Sequence, residues 1–184
     1  DSEVSRSRET CANMVESVWC PVLVSLSALL ENCLDTDTIQ TVLRAYLLFA
    51  HCSSISRKYT SRDAFLTNIC KFAPTLPKTV SVVVNSNGEE PPLLNRKNIL
   101  VAQTIVDIAQ SIGENLGDSW EIILQSFVNL NEVIIEYQKN TALDINNFTS
   151  EVKNITKAMD SLMQSTKKYS DEHFIDLMNA LMND

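Results

Sequence analysis

An all-α fold is what this sequence predicts, on three observations. Apolar residues return at steps of three and four along seven segments, the spacing that lines one side of a 3.6-residue helix. Only three glycines (Gly88, Gly113, Gly117) and five prolines occur in 184 residues, too few for the many tight turns of a β-sandwich or barrel. Helix-start residues stand ahead of most of the segments.

The first segment, from about Ser5 to Asn32, brings Val15, Val18, Trp19, Val22, Leu26, Leu29 and Leu30 to one side. Pro21 lies inside it and lacks a backbone N–H, so two helices or one kinked helix are expected. The second opens at Asp35 or Asp37, carries Ile39, Val42, Leu43, Tyr46, Leu47 and Ala50, and ends near Arg57-Lys58, where cations suit the negative end of the helix dipole. Thr60 with Asp63 reads as a capping-box variant that opens a third helix through Phe72.

Ala73 to Leu94 follows as one long connection with Pro74, Pro77, Asn87-Gly88 and Pro91-Pro92. Its stretch Val80 to Val84 has strand character without a partner, and Thr79 to Pro92 is expected to be mobile. Asn95 caps a fourth helix with Ile99, Ala102, Ile105, Val106, Ala109 and Ile112, which Gly113 and Gly117 stop. Asp118 and Glu121 read as a second capping box, opening a fifth helix with Trp120, Ile123, Leu124, Phe127, Leu130, Ile134 and Tyr137. A sixth starts at Asp144 or Asn146 and a seventh at Ser170, running through Leu181.

Amphipathic helices joined mostly by short links fit a bundle or an α-solenoid. No fixed period of the tetratricopeptide or ankyrin kind is present, which makes an armadillo/HEAT-like helical repeat fragment of about seven helices with one long loop the best repeat reading. Residues 1–184 form one helical-repeat region, with 1–138 as the main module and 139–184 as the following helix pair, the start of the next repeat.

Composition narrows the function. Hydrophobic residues make up 45% and charged ones 21%, the balance of a folded soluble domain. The net charge of −8, with Lys and Arg scattered singly or in pairs, disfavours nucleic acid and direct lipid binding. The apolar run Pro21 to Leu30 is too short to span a bilayer, and the polar first ten residues carry no signal-peptide core, so a cytosolic chain without a transmembrane helix is expected. Five scattered cysteines, Cys11, Cys20, Cys33, Cys52 and Cys70, read as buried reduced thiols and not as a metal or redox site. The acceptor patterns at Asn147 and Asn154 matter only in a secreted chain.

The sequence holds no constellation for catalysis, metal or cofactor: no nucleophile with a base, no paired carboxylates, no metal-ligand spacing, no phosphate loop. His51 and Cys52 are adjacent on a helix and so point about 100° apart. Arg62, Asp63, Lys97 and Asn98 are the candidates for a partner-binding surface. For Arg62-Asp63 the competing explanation is helix-start electrostatics, and for Lys97-Asn98 a solvated first turn. Trp19 and Trp120 fall on apolar stripes and read as packing residues.

Five strings carry a resemblance: Met14 to Trp19 (MVESVW), Leu26 to Leu30 (LSALL), Thr60 to Phe65 (TSRDAF) with Ile69-Cys70-Lys71, Arg96 to Ile99 (RKNI) and Leu116 to Trp120 (LGDSW). In order and spacing from Met14 to Leu130, and more loosely from Tyr169 to Leu181, the chain resembles the Mon-two family. These are relatives of the large Sec-seven-type Arf guanine-nucleotide exchange factors that lack the exchange domain, and the matching stretch is their homology-downstream-of-Sec-seven module. The resemblance implies a non-catalytic scaffold, peripheral on trans-Golgi network and endosome membranes. It acts there with a Dopey-type scaffold, a phospholipid flippase and an Arf-like GTPase in endosome-to-Golgi transport. The alternative is the same module in a true large Arf exchange factor.

Overall fold

The computed structural model describes residues 2–76, 94–140 and 148–182. Seven α-helices occur among the described residues: α1 (Ser2–Asn32), α2 (Thr36–Ile55), α3 (Tyr59–Cys70), α4 (Arg96–Ile112), α5 (Trp120–Asn140), α6 (Thr149–Ser165) and α7 (Asp171–Met182). Short 3-10 turns, Gly113–Asn115, Gly117–Ser119 and Thr166–Lys168, link α4 to α5 and α6 to α7. The expected mobile connection Thr79 to Pro92, the strand-like Val80 to Val84, the acceptor Asn147 and the start of the sixth helix at Asp144 or Asn146 lie outside the described residues.

Neighbour relations decide between bundle and solenoid. Helices α1, α3, α5 and α7 touch in succession, as do α2, α4 and α6, and the two rows meet through α1 on α2, α2 on α3, α3 on α4 and α4 on α5. From α1 to α4 each helix thus packs against the next one and the next but one, the arrangement of a two-layered helical repeat. An odd and an even layer clamp one continuous apolar core, whose largest fully buried side chains include Tyr46, Phe65, Ile105, Trp120, Ile123 and Ile155. At about 25 cal/mol per Å² of buried apolar surface, this shared core and not helix propensity holds the helices in place.

Local signals place some boundaries and mislead at others. Asp35 accepts the Thr38 backbone N–H at 2.8 Å and starts α2. Asn95 and Asn98 form a reciprocal box at the start of α4, each side-chain oxygen accepting the other's backbone N–H. The expected box at Thr60 is absent. Helix α3 already begins at Tyr59, with Lys58 at its cap and no side-chain cap bond, so Thr60 lies inside the helix. The box at Asp118 is absent as well, because the 3-10 turn Gly117–Ser119 runs directly into α5 and leaves no break to cap.

Helix α1 continues through Pro21 unbroken. Continuity also corrects the expectation that no segment is long enough to cross a membrane, since Arg6–Asn32 is a 27-residue helix that is long and apolar enough by length and composition. One of its sides packs on α2 and α3. The cysteines are free, but not all are buried: Cys11 and Cys20 are exposed on α1, and Cys33, Cys52 and Cys70 are half-buried.

Candidate interaction surface

Each of the four residues singled out from the sequence is engaged inside the chain. Arg62 is 5% exposed. Its Nε donates to Asp63 Oδ1 at 2.7 Å, its Nη1 donates to the Asn115 carbonyl, and its plane lies 4.8 Å from the Tyr59 ring centre. Ser119 Oγ donates to the same Asp63 oxygen at 2.7 Å. Arg62 and Asp63 therefore rivet α3 to the turns that lead into α5, and this knot leaves only the Asp63 carboxylate partly open to solvent.

Lys97 reaches back across the layers. Its Nζ donates to the carbonyls of Glu31, at 3.1 Å, and Cys33, at 3.5 Å, at the end of α1, where helix carbonyls have no intrahelical partner. Asn98 is spent on the Asn95 box. Arg62, Asp63 and Lys97 thus join elements far apart in sequence, and Asn98 serves its own helix start.

A second polar relay ties the first three helices. Tyr46 Oη donates to Asn68 Oδ1 at 2.5 Å, and Asn68 Nδ2 donates to Ser27 Oγ at 3.2 Å, joining α2, α3 and α1. Burial pushes the Tyr46 phenol up to about 12 and the Cys70 thiol up to about 11, so both are neutral at physiological pH. His51 Nδ1 lies 2.8 Å from Ser111 Oγ and links α2 to α4. No cluster of three or more His, Cys, Asp or Glu side chains suited to a metal occurs among the described residues.

Exposed apolar side chains occur at both ends of the repeat. Phe174, Ile175, Met178 and Leu181 of α7 are exposed at one end. At the other, α1 and α2 border a groove of about 680 Å³ lined by Cys11, Met14, Val18, Leu48, Phe49 and Cys52 among others. Sequence reasoning missed this groove. Its signal was the row Cys11, Met14 and Val18 on α1, at steps of three and four; Val18, expected on the inward stripe, is 42% exposed.

The fold is a two-layered helical repeat, and comparison with known proteins says what the chain is similar to. No protein-family model and no solved structure matches the chain. The human protein named "Protein MON2 homolog" is 28% identical over 163 residues, covering 67% of this chain and 10% of that protein. Brefeldin A-inhibited guanine nucleotide-exchange protein 3 of Arabidopsis thaliana is 31% identical over 111 residues, covering 60% of this chain and 6% of its own length. The ADP-ribosylation factor guanine nucleotide-exchange factor sec71 of Schizosaccharomyces pombe is 25% identical over 168 residues, covering 90% of this chain and 8% of its own. The chain spans a tenth or less of the length of these relatives. It is similar in sequence to a segment of proteins named Mon2 homologues and to a segment of ADP-ribosylation factor guanine nucleotide-exchange factors.

Proposed function

We propose that the chain is a non-catalytic scaffold module of an armadillo/HEAT-like kind in a Golgi-endosome trafficking protein that acts in endosome-to-Golgi transport. The observation that carries this reading is the similarity to the human MON2 homologue over 67% of the chain. The structure supports it chemically: Arg62, Asp63 and Lys97 are used in joining helices, Asn98 in capping α4, and apolar side chains are exposed at both ends of the repeat. Such a module works by holding protein partners, here a Dopey-type scaffold, a phospholipid flippase and an Arf-like GTPase. It sits in the cytoplasm, peripheral on trans-Golgi network and endosome membranes, without contacting nucleic acid.

A second reading is favoured by one observation, the match to sec71 over 90% of the chain. Here the module regulates an exchange domain elsewhere in a large Arf exchange factor. Both readings predict that the chain alone leaves nucleotide release from Arf and Arf-like GTPases unchanged. An acceleration above about tenfold in a fluorescent-nucleotide assay, equal to roughly 1.4 kcal/mol of barrier, overturns both. Crosslinks from the chain to a Dopey-type partner favour the first, and crosslinks to an exchange domain favour the second.

A further inference from the structure

From α1 to α6 the layering follows a rule that is broken at one place. Helix α2 lies against both α3 and α4, and α4 lies against both α5 and α6, so each of these odd-even pairs receives the preceding even helix. The pair α1 and α2 receives none among the described residues, and the equivalent position is the groove of about 680 Å³. Its walls have the form a helix needs. Cys11, Met14 and Val18 follow one another at three and four residues on α1, facing Leu48 and Cys52 at four residues on α2. These are surfaces that a finished end of a repeat array keeps polar. Here Met14 is 65% exposed, Leu48 52% and Val18 42%.

We infer that an amphipathic helix encoded ahead of Ser2 in a longer parent polypeptide fills this groove and continues the even layer beside α2. Two observations favour the same polypeptide as its source. The groove prolongs the interface that α2, α4 and α6 already share, and the relatives are at least ten times longer than the stretch they match. The incoming helix presents an apolar stripe at steps of three and four to Met14, Val18 and Leu48 and a polar face to water. The inference rests on the two-layer packing and does not depend on the trafficking role.

Cys11 supplies the test, because it lines the groove and is exposed in the 184-residue chain. Its maleimide alkylation is followed by mass spectrometry in this chain and in the parent polypeptide that includes the residues before Ser2. The expected result is a rate at least about tenfold lower in the parent. In parallel, Met14→Lys lowers the melting temperature of the parent and leaves that of the 184-residue chain unchanged. Equal alkylation rates, or a parent with no helical segment before Ser2, overturn the inference. So does protection of Cys11 in the 184-residue chain that grows with its concentration, which assigns the groove to a second copy.

Discussion

The indole Nε1 of Trp120 donates to the carbonyl of Gly113 at 3.1 Å, across the turns that separate α4 from α5. The indole is fully buried, and the Tyr169 hydroxyl occupies the space that a side chain on Gly113 would need. Three residues from three parts of the chain therefore fix how α4, α5 and the approach to α7 meet.

Trp120→Ala is expected to cost about 3–5 kcal/mol, through lost burial, a cavity and the lost indole bond to Gly113, whose carbonyl keeps the Leu116 N–H. Gly113→Ala is expected to cost less, on the order of 1–3 kcal/mol, because Tyr169 must leave its position. Urea denaturation of both variants measures this. Unchanged stability in Trp120→Ala with loss of a partner makes the indole a binding anchor instead.

Arg57 adopts a φ of 55°, and among the described residues it is the only non-glycine at positive φ. Its N–H donates to Ser54 and that of Lys58 to Ser53, the pair of bonds that closes a helix with a left-handed residue after the cap. Glycine is the residue this position favours. Arg57→Gly is expected to raise stability by about 0.5–1 kcal/mol, read as a higher urea midpoint at constant slope. A lower midpoint means that the arginine side chain contributes more than its backbone costs.

Arg62→Met removes a guanidinium that serves both Asp63 and the Asn115 carbonyl. Loss of these bonds is expected to cost about 2–3 kcal/mol, toward the lower end for a buried pair because Asp63 is partly solvated. Arg62→Lys is not expected to recover it, since one ammonium cannot reproduce the planar fork. Were Arg62 a partner contact alone, thermal unfolding of both variants would match that of the parent sequence.

Much of the fold is legible in the sequence because the apolar stripes are local, and Asp35 and Asn95 announce helix starts through bonds only three residues long. Thr60 and Asp118 show why such signals fail: the chain is already turning before each, held by contacts that no short window contains. The choice of a solenoid over a bundle is of the same kind, because stripes say which face is buried and not which helix covers it. How the four surface candidates are engaged within the chain is hidden for a related reason. A charged residue at a helix start looks alike whether it faces solvent or, as with Arg62 and Lys97, reaches a carbonyl 53 or 66 residues away.

Alkaline pH is expected to unfold the chain through Tyr46. The folded phenol is raised from 10.0 to about 12 by burial, so the fold favours the neutral form. A group raised in the folded state contributes its full stability below its unfolded value and loses it on ionising. The contribution is intact below pH 10 and declines between pH 10 and about 12. At about 1.4 kcal/mol per unit, the loss is on the order of 2–3 kcal/mol by the top of that window. Cys70, raised from 9.0 to about 11 by burial, adds a loss of similar size that begins one unit lower. Tyr46→Phe keeps the aromatic contact with Phe65, 5.8 Å between ring centres, and gives up the bond to Asn68. It is expected to be less stable by about 1 kcal/mol at pH 7 and to show a shallower decline above pH 10. Denaturant midpoints measured from pH 7 to 11.5 in both proteins decide it, and parallel curves show that Tyr46 does not govern the alkaline transition.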